Sequence, residues 1–151
     1  MRYVGGQSGL PEINVLLAED DRGIAGLYRQ RLELEGYAVT VAADGEAALA
    51  AAFASAPKLI VLDVRLPELS GLEVLERLRK DRRTRQVPVV ILTNWEDQEA
   101  RARALKLGAL EFLLKSEVRP GELAERIRDW LAVRESQPRG RPLPEGTPAA
   151  S

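Results

Sequence analysis

Apolar residues occur in short unbroken runs, and between the runs they recur with helical spacing. Leu59-Ile60-Val61-Leu62 is four apolar residues in succession, the pattern of a strand buried on both faces in a parallel sheet. Ile13–Ala18, Tyr37–Ala42, Val87–Leu92 and Glu111–Leu114 read as four more strands, with Pro88 tolerable only near the start of its own. Arg22–Glu35 reads as a helix with Ile24, Leu27, Tyr28, Leu32 and Leu34 on its apolar face and Gly36 as its stop. Asp44 caps a second helix, whose Glu46–Ala54 span is mostly alanine and strongly helix-forming. Gly71–Asp81 carries Leu72, Leu75 and Leu78 on one side. Glu96–Leu107 is a weakly apolar helix bearing Arg101, Arg103 and Lys106, and Gly108 stops it. Pro120 opens a last helix, to about Val133, that turns Leu123, Ile127, Trp130 and Leu131 inward.

Five strands alternating with five helices predict an α/β fold, a parallel sheet with helices on both faces. Right-handed crossovers then bring the carboxyl ends of all the strands to one edge. The predicted domain spans residues 13–134. Residues 1–12 are Gly-rich and patternless, a loose lead-in, and residues 135–151 are Pro/Gly-rich with too little apolar surface to fold alone, a disordered tail.

Composition removes several kinds of chemistry. A net charge of -1 gives no electrostatic case for a general nucleic-acid or membrane surface. The absence of cysteine excludes disulfides and thiolate metal sites. The absence of histidine excludes an imidazole base, a histidine zinc site and any role as a phosphohistidine carrier. No apolar run is long enough to span a bilayer, and Met1–Gly6 lacks the apolar core of a signal peptide, so a soluble cytoplasmic protein is expected.

The residues that end the strands are the candidate chemistry. The first strand ends on Glu19 and Asp20, the third on Asp63, the fourth on Thr93 and the fifth on Lys115. Each has an ordinary reading alone: a helix cap, a turn residue, a solvated charge. Together they fall on the edge where open α/β sheets place their sites. Three carboxylates in one place resist joint ionisation unless a cation joins them, and hard oxygen ligands suit magnesium. A hydroxyl and an ammonium beside that ion are what phosphoryl oxygens need.

Four stretches carry a resemblance: Leu16-Leu17-Ala18-Glu19-Asp20-Asp21, Leu62-Asp63-Val64-Arg65-Leu66-Pro67 with Ser70-Gly71, Ile91-Leu92-Thr93, and Gly108-Ala109-Leu110-Glu111-Phe112-Leu113-Leu114-Lys115. From about Ile13 to Val133 the chain resembles the receiver domain of two-component response regulators, of the single-domain, chemotaxis type. The resemblance implies a flavodoxin-like sheet of order 2-1-3-4-5. It implies Asp63 as phosphoryl acceptor, with magnesium held by Glu19, Asp20, Asp63 and the backbone carbonyl of Arg65. Thr93 and Lys115 would contact the phosphoryl oxygens, and Phe112 takes the switch-aromatic position, where a plain core aromatic is the other reading. The implied donor is a sensor histidine kinase or a histidine phosphotransfer protein.

Ser116 departs from the family's usual proline after the lysine, and a trans Lys115–Ser116 bond is expected. Asn94 replaces a small residue, while Arg65 and Trp95 border the site, Trp95 at its entrance. The expected function is a stand-alone receiver that switches a protein-binding surface, not an enzyme beyond its own phosphoryl transfer and slow dephosphorylation. Arg101, Arg103, Glu111 and Arg126 could pair across a two-fold axis, in a homodimer through the fourth helix, fifth strand and last helix, or simply be solvated. One alternative is a phosphorylation-independent interaction module of the same fold. Another is an aspartate-nucleophile phosphohydrolase, which wants a second acid where Arg65 stands.

Overall fold

All five expected strands and all five helices are present in the computed structural model, which describes residues 12–135. The expected lead-in and tail lie, but for Glu12 and Glu135, outside the described residues. In chain order the elements are β1 (Asn14–Ala18), α1 (Arg22–Leu34), β2 (Ala38–Ala42), α2 (Gly45–Ser55), β3 (Leu59–Leu62) and α3 (Gly71–Lys80). They continue with β4 (Val89–Thr93), α4 (Gln98–Lys106), β5 (Glu111–Leu114) and α5 (Pro120–Glu135), and a turn of 3-10 helix at Lys115–Glu117 joins the last two. The strands pair in parallel in the order β2-β1-β3-β4-β5. The fold is therefore α/β and flavodoxin-like, as the alternation predicts.

Alternate residues of the central strands feed two cores, one on each face of the sheet. Leu16, Ile60, Leu62 and Ile91 face Val74, Leu75, Leu78, Ala100 and Ala104 beneath α2, α3 and α4. Val15, Leu17, Val61 and Leu92 face Tyr28, Leu32, Leu123 and Ile127 of α1 and α5. Each Leu or Ile so buried contributes roughly 1.5–3 kcal/mol relative to an exposed side chain, which is why these runs form strands despite their shortness.

The Asp44 cap forms as expected, and two further helices are capped in the same way. The Asp44 carboxylate accepts from the Ala47 N–H at 2.7 Å, Asp21 caps α1 through the Ile24 N–H, and Ser70 caps α3 through the Glu73 N–H. The apolar face expected for α1 needs correction. Ala25, Tyr28 and Leu32 are the buried stripe, whereas Leu27 is 61% and Leu34 76% exposed. A helix packed on one face of a sheet buries a narrow stripe, and Leu27 and Leu34 lie outside it. On α3 the buried side chains are Val74, Leu75 and Leu78, with Gly71 buried at its start and Leu72 only half-buried. Pro88 precedes β4 instead of lying within it, and Thr93 is that strand's last residue.

Candidate functional site

Sheet register brings the strand-end residues together. Ala18 lies opposite Leu62, so the residues that follow, Glu19 and Asp63, leave the sheet side by side. Leu62 lies opposite Ile91, and Thr93 lies opposite Leu114, the residue before Lys115. Two backbone bonds hold the turn-off in place: the Glu19 N–H donates to Ala42 and the Asp63 N–H to Ala18. Residues separated by up to 96 positions thus reach one edge through strand pairing alone.

Glu19, Asp63 and Thr93 are buried, at 3%, 5% and 1% exposure, while Asp20 is exposed. The Lys115 ammonium donates to Asp63 Oδ2 at 2.7 Å and also pairs with Glu19 Oε1. The remaining oxygens have partners too: Glu19 Oε2 accepts from the Asp21 N–H at 3.0 Å, and Asp63 Oδ1 from the Arg65 N–H at 3.1 Å. Burial raises the Glu19 carboxyl above its ordinary range, a shift the bonds from Lys115 and the Asp21 N–H only partly oppose. Burial also works against the Lys115 ammonium, but its bonds to Asp63 and Glu19 outweigh this and leave it raised, so it stays charged.

Carboxylate oxygens of Glu19, Asp20 and Asp63 all lie within 4.8 Å of one another. Three carboxylates against one ammonium leave the cluster short of positive charge. An all-oxygen donor set in that condition fits a hard divalent cation, magnesium above all, and gives nothing soft for zinc or copper.

The loop that presents Asp63 depends on two close approaches. A Cβ on Gly71 would fall 1.9 Å from the Asp63 carbonyl oxygen, and one on Gly45 1.8 Å from the Leu69 carbonyl oxygen. The Gly71 N–H donates to Val64 and the Gly45 N–H to Pro67, so the loop is drawn against the starts of α3 and α2. Neither glycine is replaceable without moving backbone.

Arg65 and Trp95 stand at the entrance, as expected for Trp95. The Arg65 guanidinium lies over the Trp95 ring, 4.0 Å from its centroid, and Trp95 is 36% exposed. A cleft of about 500 Å³ runs beside them, lined by Asp20, Leu66, Pro67 and Leu72 among others. The Trp95 N–H reaches Thr93 Oγ1 at 3.4 Å. Phe112 is 4% exposed, with the Arg101 guanidinium 5.0 Å from its ring centroid. Among the described residues no peptide bond is cis, Lys115–Ser116 included, and the chain takes a 3-10 turn there.

The charges singled out on the fourth helix, fifth strand and last helix find partners within the chain. Arg103 pairs with Glu76 of α3, and Arg126 and the Trp130 indole N–H both bond Glu111. Two structural supports leave no mark in the sequence pattern. Tyr28 falls on the apolar face of its helix, yet its hydroxyl donates to the Val118 carbonyl at 3.0 Å. Arg79 gave no signal beyond a charge, yet its guanidinium donates to the carbonyls of Arg85, Val87, Leu107 and Gly108.

Residues 15–128 match the profile of the response regulator receiver domain. The chain is 41% identical over 116 residues to the uncharacterized transcriptional regulatory protein YkoG of Bacillus subtilis, covering 76% of this chain and 49% of that protein. It is 39% identical over 123 residues to the probable transcriptional regulator ycf27 of Cyanophora paradoxa, covering 80% of this chain and 50% of that protein. The chain thus spans about half the length of the curated relatives it matches. Among solved structures, a CheY-like response regulator receiver domain protein from Methanospirillum hungatei superimposes with a TM-score of 0.77 at 30% identity, over 83% of this chain and 98% of that one. The chemotaxis protein CheY4 of Vibrio cholerae gives 0.72 at 28% identity, over 79% and 98%.

Proposed function

The chain belongs to the response regulator receiver domain family, and from that membership we propose that it is a phosphorylation switch whose acceptor is Asp63. The observation that carries this reading is the Lys115 ammonium held between Glu19 and Asp63, with Asp20 beside them. A buried carboxylate with a cation on one of its oxygens is a nucleophile prepared for an anionic electrophile.

Receiver domains of this family are signalling domains that bind magnesium at an acidic pocket and interact with histidine kinases and downstream effectors. In this chain the proposed magnesium ligands are Glu19, Asp20, Asp63 and the backbone carbonyl of Arg65. When bound, magnesium offsets charge on the phosphoryl oxygens. Asp63 is proposed to attack the phosphorus of a phosphohistidine on a sensor kinase or phosphotransfer protein. The new O–P bond forms as the N–P bond breaks, and the imidazole leaves with the electron pair, taking its proton from solvent. Lys115 supports the growing negative charge, and Thr93 moves toward a phosphoryl oxygen. Phe112, already packed inward, follows by repacking, and the surface of α4, β5 and α5 changes shape.

That surface is proposed to read out through a protein target, as a separate receiver in the cytoplasm or as a dimer through the same face. The receiver residues themselves are assigned no DNA contact; the match covers only about half the length of the transcriptional regulators among the relatives. Hydrolysis of the acyl phosphate is proposed to be slow and self-catalysed. The completeness of the acidic set, Thr93 and Lys115 supports this reading over a phosphorylation-independent module.

Transfer from acetyl phosphate in variants tests the division of labour. Asp20→Asn should weaken magnesium binding and slow transfer. Lys115→Ala should bind magnesium yet transfer poorly. Parent-like transfer rates in both variants would overturn the reading.

A further inference from the structure

We propose that Tyr28 is a positioning residue for Lys115: by holding the Val118 carbonyl it fixes the turn that aims the ammonium at Glu19 and Asp63. The inference rests on the role proposed above for Lys115. Strand pairing ends at Thr93 and Leu114, so Lys115 is the first residue beyond the ladder. The 3-10 turn that follows is weakly made. Its closing bond, from the Val118 N–H to the Lys115 carbonyl, is 3.5 Å long, and no side chain caps its start. Ser116 and Glu117 are exposed.

The anchor is Val118. Its side chain is buried in the core beneath α1 and α5, with Tyr28, Leu123 and Ile127. Its carbonyl accepts from the Tyr28 hydroxyl at 3.0 Å, a bond that joins residues 90 positions apart. Tyr28 is itself 5% exposed and lies on the sheet-facing stripe of α1. Burial raises its phenol, so it remains a neutral donor across the working pH range. The neighbouring Arg119 N–H is taken by Glu122 at the start of α5, which orders that helix and not the turn before it. A long lysine on an open strand end needs its backbone fixed before its ammonium can be aimed, and Tyr28 supplies that fixed point from α1 on the same face of the sheet.

Tyr28→Phe keeps the ring in the core and deletes the donor. In the full chain, amide exchange over residues 115–119 should quicken while exchange in β1, β3 and β4 stays as in the parent. Labelling of the protein by acetyl phosphate at saturating magnesium should slow roughly tenfold, as small misplacements of a reacting group do. Magnesium affinity should stay within about twofold of the parent, since the change acts through Lys115 and not through the carboxylates. Combined with Lys115→Ala, the change should slow labelling no further than Lys115→Ala alone. Ile24→Val trims α1 packing without touching the bond and should change neither exchange nor rate. Parent-like exchange at 115–119, a parent-like labelling rate, or additive losses in the double variant would each overturn the assignment. If the parent itself takes no label, the functional reading falls, and exchange alone decides whether Tyr28 holds the turn.

Discussion

Glu19 carries the clearest tension between folding and function. Its folded carboxyl titrates above the unfolded value of 4.5, with burial as the main cause. A raised carboxyl binds its proton more tightly in the folded state, so ionising it costs stability. That cost is absent below the unfolded value, grows as pH rises from the unfolded to the folded value, and stays constant above it. Without magnesium, Glu19→Gln should therefore raise the thermal midpoint more at pH 7 than at pH 4, while magnesium binding weakens. Thermal unfolding in chelator at both pH values checks this, and an equal shift at each would remove the buried charge as its cause. Trp95 offers a second test at this scale. Its ring lies under Arg65 at the site entrance, so emission should change on adding magnesium, and Trp95→Phe should lose that change although Trp130 still emits. The strand-end residues were legible because each closes an apolar run. The Arg65–Trp95 stack was legible only as two residues bordering the site, since side-chain pairing leaves no periodic trace.

The elements were legible in type and nearly in extent, and the misses have a common cause. Apolar runs, caps and glycine stops are local signals, so β3, β5 and the Asp44 cap appear where the sequence places them. Which face of a helix is buried depends on what it rests against, and Leu27 and Leu34 of α1 proved exposed for that reason. The loops hold two further tests. Gly71→Ala would drive a methyl into the Asp63 backbone, and should destabilise the chain by about 1–3 kcal/mol in denaturant titration and slow phosphorylation as well. Arg79 joins the α3–β4 connection to the end of α4 by four donated bonds, something a bare charge in sequence could not announce. Arg79→Ala should lower stability by roughly 2–4 kcal/mol while leaving magnesium affinity unchanged.

At the scale of the whole molecule, the sheet order is what converts a scattered set of residues into a site. Placing β1 and β4 on either side of β3 sets Glu19 and Thr93 around Asp63, and β5 beyond β4 delivers Lys115. Alternation predicts a parallel sheet with its chemistry on one edge, but the order of strands came from family resemblance, because periodicity does not say which strands are neighbours. The central claim is that this edge accepts one phosphoryl group on Asp63 with the help of magnesium. Intact-mass measurement after exposure to acetyl phosphate tests it most directly. The parent should gain the mass of one phosphoryl group with magnesium and none in chelator, and Asp63→Asn should gain none in either condition. Equal labelling in chelator, or unchanged labelling of Asp63→Asn, would contradict it.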